Sequence, residues 1–266
     1  MKKIYPNTEA YLILYDPGAG GNFIRNLIAN LFYQNKFNIS ELGTANSFEY
    51  PRNITKESIK KYVESGGKNL ANIEFILDPE DETLPLILNS HNHEFNYNSF
   101  FKKFPKGKII FVTSELYDVP RLSVNQFFKI IQQFYNLEQT KGIPNRQNMW
   151  RSCKKRFPVL ADVPTPIDAT KDQLFSVFQN CKSEPIMPKK INQNFIESIT
   201  IKKENYLVIP FRKLIQEPNW VLEELSILLN KPLNEHSKEN YKKYLEMQNK
   251  IIQEYAPWIL DTGNFT

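Results

Sequence analysis

The residues best suited to bind an anion lie together near the start of the sequence, between Asp16 and Asn22. This segment, DPGAGGN, holds three of the nine glycines of the chain within four residues. An apolar run of strand composition, Tyr11–Tyr15, precedes it, and apolar residues at helical spacing follow it as far as Phe32. Small residues allow backbone N–H groups to approach a phosphate, and a helix N-terminus favours negative charge. The pattern therefore predicts a phosphate-type site, with a tight turn that binds no ligand as the alternative.

Two histidines could supply a general base. His91 and His93 closely follow an apolar run, Leu84–Asn89, which we interpret as a second core strand. A neutral imidazole can take a proton from a hydroxyl group near neutral pH. Either histidine could instead be a polar residue that ends the strand and bonds to the backbone. The third histidine, His236, precedes the last predicted helix and is expected at the surface.

Polar residues in the middle of the chain fall on predicted helices. Arg121 and Ser123 lie near the start of a helix predicted from Val119 to Leu137, where they could lie on the helix surface. A basic cluster within eleven residues is either a solvated helix face or a clamp on an anionic ligand. Its members are Arg146, Arg151, Lys154, Lys155 and Arg156.

Composition indicates a folded, soluble protein. Of its 266 residues 41% are hydrophobic and 13% aromatic, which excludes a disordered chain. A net charge of +5 is compatible with an anionic ligand but is too weak to indicate nucleic acid. Cys153 and Cys181 have no CxxC partner, so the chain predicts neither a metal set nor a disulfide framework. With no signal-peptide pattern and no apolar run of about 18 residues, we expect a cytoplasmic protein without a membrane span.

The order of elements predicts an α/β fold, with a mostly parallel sheet of four or five strands between helices on both faces. The three layers would form one domain, residues 1–266, with a helical insertion at about 138–190. The clearest strands are Tyr11–Tyr15, Lys108–Thr113 and Tyr206–Phe211. The predicted helices include Thr55–Ser65, one from a cap at Thr170 through Phe178, Trp220–Leu229 with Asn219 as its N-cap, and Ser237–Tyr255.

This order of parts resembles the sulfotransferase family. In that family the first strand leads into a loop of the form Tyr-Pro-Lys-Ser-Gly-Thr-Thr-Trp, and the next core strand ends in Thr-His. Here Asp16–Phe23 stands in the place of the loop, and Ser90-His91 stands in the place of Thr-His. Later, Phe211–Pro218 and Leu229–Leu233 look much like the family's Leu-Ile-x-x-Pro and Leu-Asn-x-Pro-Leu segments. The resemblance covers most of the chain apart from residues 138–188.

The resemblance implies a P-loop-like α/β fold and an enzyme that transfers a sulfonate group from 3′-phosphoadenosine-5′-phosphosulfate to a hydroxyl or amine, without a metal. His91 would be the general base, and Arg121 and Ser123 would hold the 3′-phosphate of the donor. The acceptor would be a small molecule or a glycan rather than nucleic acid, and a homo-oligomer or a larger assembly stays open. The residues that would bind the 5′-phosphosulfate are Gly18, Ala19, Gly20, Gly21, Asn22 and Phe23.

Two positions depart from the pattern of the family. The loop lysine falls on Gly18, and the arginine that holds the 3′-phosphate falls on Ser114. Arg121 or the cluster at Arg146–Arg156 could supply the second charge. The departures favour an alternative in which the chain keeps the fold without catalysis, as a binding or structural protein. A small-molecule P-loop kinase is a further alternative, although no Lys-Ser or Lys-Thr pair follows the glycines.

Overall fold

A five-stranded sheet forms the centre of the computed structural model, which describes residues 7–32, 73–77, 85–90, 97–135, 144–181, 186, 191, 196–197 and 200–261. The strands lie in the order β2-β3-β1-β4-β5. Their bounds are β1 (Ala10–Tyr15), β2 (Ile73–Leu77), β3 (Leu86–Ser90), β4 (Gly107–Thr113) and β5 (Tyr206–Pro210). Strands β3, β1, β4 and β5 are parallel, and β2 pairs antiparallel with β3 at one edge. The predicted α/β class with a mostly parallel sheet is confirmed.

The helices connect these strands and continue beyond the last one. In the described part of the chain they are α1 (Gly21–Phe32), α2 (Tyr97–Lys103), α3 (Val119–Tyr135), α4 (Pro144–Arg156), α5 (Lys171–Asn180), α6 (Phe211–Gln216), α7 (Pro218–Leu229), α8 (Glu235–Tyr255) and α9 (Trp258–Asp261). Helix α3 begins at Val119 as predicted.

Strand β1 contributes to two apolar cores because successive residues of a strand point to opposite sides of the sheet. Tyr11, Ile13 and Tyr15 pack with apolar residues of α1, α6, α7 and α8. On the other face, Leu12 and Leu14 pack in a core that includes apolar residues of α2. All six residues of β1 are buried, which explains its continuous apolar sequence. The strand therefore gives the segment that follows it a rigid base.

A third apolar core joins helices from the middle and the end of the chain. It includes Trp150 and Cys153 of α4, Phe178 of α5 and Ile252 of α8. Helix α5 begins at the predicted capping box, in which the N–H of Gln173 donates to the Thr170 hydroxyl at 3.3 Å and the Gln173 side chain accepts from the Thr170 N–H at 2.9 Å. The region predicted as a helical insertion thus contains α4 and α5.

One predicted helix start is wrong. Helix α7 begins at Pro218 with Glu217 as its N-cap, so Asn219 lies inside the first turn instead of capping it. Proline favours the first helical position because its backbone angle is already helical and it needs no N–H partner there. The predicted helix at Thr55–Ser65 lies outside the described residues. None of the helices in the described ranges is long and apolar enough to cross a membrane.

Candidate functional site

The glycine-rich segment lies where the order of the parallel strands reverses. Of the parallel strands, β3 follows β1 in the chain and pairs with it on one side, whereas the next, β4, pairs with β1 on the other side. In open α/β sheets, ligands bind at the carboxyl ends of strands at such a switch point. The segment after β1 and the turn after β4 both leave the sheet here. The topology therefore places the predicted anion-binding loop at the position where this class of fold binds ligands.

The backbone of the loop requires glycine at two positions. Gly18 has φ of 86° and Gly20 has φ of 79°, both in the left-handed region that disfavours side chains. The N–H of Ala19 donates to the Asp16 carbonyl at 3.0 Å and closes a turn. The N–H of Ile24 donates to the Gly20 carbonyl at 3.1 Å and begins the helical pattern of α1. A tight turn thus delivers the chain directly into the helix.

Close packing is a second reason for glycine in this loop. A Cβ atom on Gly18 would lie 2.6 Å from the carbonyl oxygen of Leu122 in α3. One on Gly20 would lie 2.6 Å from Leu214 in α6, and one on Gly21 would overlap the ring of Tyr15. The loop therefore sits tightly among α3, α6 and the end of β1, and this packing accounts for the glycines without a ligand.

Two side chains of α3 fix the direction of the loop peptides. Asn125 donates through Nδ2 to the Gly18 carbonyl at 2.9 Å, and Gln126 donates through Nε2 to the Pro17 carbonyl at 2.7 Å. The C=O and N–H of a trans peptide point in opposite directions, so the N–H of Gly18 points away from α3. Within the described residues, the N–H groups of Gly20 and Gly21 make no backbone hydrogen bond. These donors are the groups that could bind an anion.

A buried polar network joins the start of α1 to the carboxyl ends of β1 and β3. The Asn22 Oδ1 atom accepts from the Tyr15 hydroxyl at 2.6 Å and from Asn89 Nδ2 at 2.9 Å. Asn89 Nδ2 also donates to the Tyr15 hydroxyl at 2.8 Å. Because the side-chain oxygen of Asn22 is engaged by these donors, its amide NH₂ group is turned away from them. The network therefore ties the first turn of α1 to the carboxyl ends of β1 and β3.

Arg25 extends this network along α1. Its Nη1 atom lies 3.4 Å from Asn89 Oδ1, its Nε donates to Asn26 Oδ1 at 2.9 Å, and the residue is only 2% exposed. Sequence reasoning missed Arg25, Asn89 and Tyr15 as parts of the site. An arginine within the apolar pattern of α1 and an asparagine at the end of an apolar strand were the available signals.

Ser114 and Ser123 both have their hydroxyl groups engaged by the protein. Ser114, at the position matched to the family's arginine, donates to Asp16 Oδ2 at 3.3 Å. The same buried carboxylate accepts from the N–H of Ile191 at 3.1 Å and so fastens the base of the loop. Ser123, predicted to bind a phosphate, donates to the Val119 carbonyl at 2.9 Å inside α3.

Arg121 is a buried cation near the loop. It donates through Nη2 to Asn249 Oδ1 at 3.0 Å and is 1% exposed. Burial lowers the pKa of its guanidinium to about 10, opposed by Tyr244 and Asp118. Tyr244 also lies close to the loop, because a Cβ on Gly20 would lie 3.1 Å from its hydroxyl.

His91, the predicted general base, lies outside the described residues, and so does His93. Strand β3 ends at Ser90, which pairs with Leu14 of β1, so His91 follows a strand end beside the start of the loop. His236, expected at the surface, is half-buried in the first turn of α8.

Three members of the basic cluster line a surface groove on α4, which we call the α4 groove. Arg151, Ser152, Lys154 and Lys155 line this groove, whose volume is about 530 Å³. Three of the cations stand at the carboxyl end of α4, where the helix dipole favours positive charge without any ligand.

Comparison with models of known protein families gives no match, and neither does comparison with curated proteins.

Proposed function

We propose that this chain is a sulfotransferase-like enzyme that moves a sulfonate group from 3′-phosphoadenosine-5′-phosphosulfate to a hydroxyl or amine of a small molecule or glycan. The observation that carries the proposal is the glycine loop at the switch point between β1 and β4. Its backbone donors stand at the N-terminus of α1, whose dipole favours a phosphate or phosphosulfate group.

The chemistry assigned to the residues of this chain is proton removal and stabilisation of charge. His91 takes the proton of the acceptor hydroxyl. The acceptor oxygen forms a bond to sulfur while the bond from sulfur to the 5′-phosphate oxygen breaks, and adenosine 3′,5′-bisphosphate leaves. The N–H groups of Gly18, Gly20 and Gly21 stabilise the negative charge that develops on the leaving phosphate.

Buried positive charge supports this assignment. Asp16–Phe23 contains no lysine or arginine, but Arg25 belongs to the same hydrogen-bonded network as Asn22. Arg121 lies on the α3 side of the loop and is the proposed cation for the 3′-phosphate. A buried charge acts through a lower effective dielectric constant than an exposed lysine, so it interacts more strongly with a bound anion.

A binding or structural protein without catalysis is the second candidate. Close packing accounts for Gly18, Gly20 and Gly21 without a ligand, and the hydroxyl groups of Ser114 and Ser123 are engaged by the protein. A preorganised donor at a reacting group contributes about 3–4 kcal/mol to lowering a barrier. Loss of the loop lysine is therefore a substantial cost for catalysis, which favours this second candidate.

Thermal melts separate the candidates. We expect adenosine 3′,5′-bisphosphate to raise the melting temperature, because a ligand at 100 times its Kd adds about 2.7 kcal/mol of stability. ATP with Mg²⁺, tested in parallel, should have no effect unless the chain is a kinase. If neither ligand changes the melting temperature, the second candidate is favoured. If the bisphosphate binds, transfer assays with the His91→Ala variant, which should lose activity, test the assignment of the base.

A further inference from the structure

The turn after β4 exposes two apolar side chains at the carboxyl edge of the sheet. Leu116 is 66% exposed and Tyr117 is 41% exposed, whereas Ser114 and Asp118 on either side of them are buried. The turn itself is held by the N–H of Glu115, which donates to Asp118 Oδ2 at 2.7 Å. A fixed turn that presents a leucine and a tyrosine to solvent is not explained by packing of the core.

A guanidinium group covers part of the tyrosine. Arg212, at the second position of α6, places its central carbon 5.6 Å from the centre of the Tyr117 ring. Its Nε donates to Gln216 Oε1 at 2.7 Å, which holds the side chain in place along α6. The ring and the cation therefore form an ordered pair that bridges the segments leaving β4 and β5.

This pair flanks the glycine loop. Ser114, two residues before Leu116, bonds to Asp16 at the base of the loop. Leu214, two residues after Arg212, contacts Gly20. Both chain segments that carry the pair are thus attached to the loop on the side of β4 and β5. Tyr117, three residues after Ser114, therefore lies on the same carboxyl edge of the sheet as the loop.

We propose that Leu116, Tyr117 and Arg212 form a stacking platform for the base of a nucleotide whose phosphate occupies the glycine loop. The inference rests on the proposed function, because that function supplies a nucleotide. Aromatic rings and guanidinium planes stack on nucleobases, and an apolar neighbour adds contact area. Two apolar side chains are too few for a stable protein–protein interface, which buries about 1,200–2,000 Å². The cation also suits a ligand that carries negative charge.

Replacement of Tyr117 by tryptophan gives a direct reporter. We expect adenosine 3′,5′-bisphosphate to quench the fluorescence of the Tyr117→Trp variant more than that of the parent protein, because the base would stack on the introduced indole. The matched control is Ile227→Trp, since Ile227 is also exposed, at 67%, but lies on α7. Quenching confined to the first variant supports the platform. Binding of the nucleotide without extra quenching overturns it.

Affinity measurements test the platform independently. We expect Tyr117→Ala to weaken binding of adenosine 3′,5′-bisphosphate by roughly 5- to 150-fold, and Tyr117→Phe to restore most of it. Binding of ribose 5-phosphate, which lacks a base, should not change. Equal weakening for both ligands would mean a general disturbance of the edge and would overturn the inference.

The two proposals fail in different ways. If ATP with Mg²⁺ quenches the Tyr117→Trp variant and the bisphosphate does not, the proposed donor is wrong and the platform stands. If the bisphosphate raises the melting temperature without specific quenching, the proposed function stands and the platform is wrong. If no nucleotide changes either signal, both are wrong.

Discussion

Two regions of this molecule could attract an anion, and they are built in opposite ways. The glycine loop has no lysine or arginine between Asp16 and Phe23, but its peptides are held by two side chains of α3 and by the network around Asn22. The α4 groove has three cations, Arg151, Lys154 and Lys155, on partly or fully exposed side chains. Exposed charges are solvated and screened by salt, whereas preorganised donors need little reorganisation to bind. The contrast teaches that preorganised backbone donors and exposed charges are two different ways to attract an anion, and the proposed function relies on the first.

The largest effect is expected from Gly20→Ala. The variant forces a side chain into a left-handed backbone and toward Leu214, so we expect the free energy of unfolding to fall by about 2–4 kcal/mol. Chemical denaturation measures it. Repeating the substitution in a Leu214→Ala background should reduce its cost, because the contact is removed while the backbone strain remains. An equal cost in both backgrounds would show that packing against α6 does not hold the loop.

The next largest effect, a loss of nucleotide affinity in Asn22→Asp, tests whether the anion binds at the loop and not at the α4 groove. Asn22→Asp keeps an acceptor for Tyr15 and Asn89 but removes the amide donor and adds negative charge. We expect the fold to survive and the affinity for adenosine 3′,5′-bisphosphate to fall at least about 10-fold, measured by calorimetry. Asn219→Asp, the same change in the exposed first turn of α7, is the control and should leave affinity unchanged. Unchanged affinity in Asn22→Asp would remove Asn22 from the site.

The pH dependence of stability tests the burial of Cys153, which lies in the third apolar core. Burial, with the nearby Cys181, raises the pKa of the Cys153 thiol to about 11, above its usual value of about 8.5. The folded state therefore keeps the proton where the unfolded state loses it, so this stabilisation is complete below about pH 8.5 and is lost as pH rises toward 11. Under reducing conditions, the stability difference between the parent and Cys153→Ala should shrink by about 1 kcal/mol near pH 9.5.

Denaturation of both proteins near pH 7.5 and near pH 9.5 supplies this comparison. A difference that is the same at both values would contradict the assigned burial of the thiol. Adenosine 3′,5′-bisphosphate should not alter this pH-dependent change in the stability difference, since the proposed binding site lies at the glycine loop.

The smallest effect is expected at the α4 groove. Replacing Arg151, Lys154 and Lys155 together by glutamine should weaken binding of the bisphosphate by no more than about fivefold at low salt, and less at high salt. The same replacement of Lys231, Lys243 and Lys250 controls for net charge. If the triple variant in α4 abolished binding while Asn22→Asp did not, the comparison between the two regions would be reversed.

Much of the sheet could be predicted from the sequence because its interior strands are buried on both faces. Strands β1 and β4 have uninterrupted apolar runs, and that composition is informative on its own. Strand β2 is harder to predict, because its five residues carry little pattern and its antiparallel pairing with β3 is a tertiary property. The start of α7 was misassigned because Asn219 is a good capping residue, whereas Pro218 fixed the first turn.

The candidate site was predicted only in part. The cluster of three glycines within four residues indicated the loop, because such a cluster is typical of a tight turn. The partners of Asn22 could not be predicted, because Asn89 lies far away in sequence and meets it only through the pairing of β1 with β3. Likewise, the engagement of Ser114 by Asp16 depends on the register of β1 and β4, which spacing along the chain does not reveal.

Amide hydrogen exchange of the loop, with and without adenosine 3′,5′-bisphosphate, tests the central claim most directly. If the loop binds the 5′-phosphate, exchange of the Gly18, Gly20 and Gly21 amides should slow markedly, and exchange in α4 should change only as far as overall stability does. A rise in melting temperature without protection of these three amides, or with protection confined to α4, would contradict the claim that the glycine loop is the anion site.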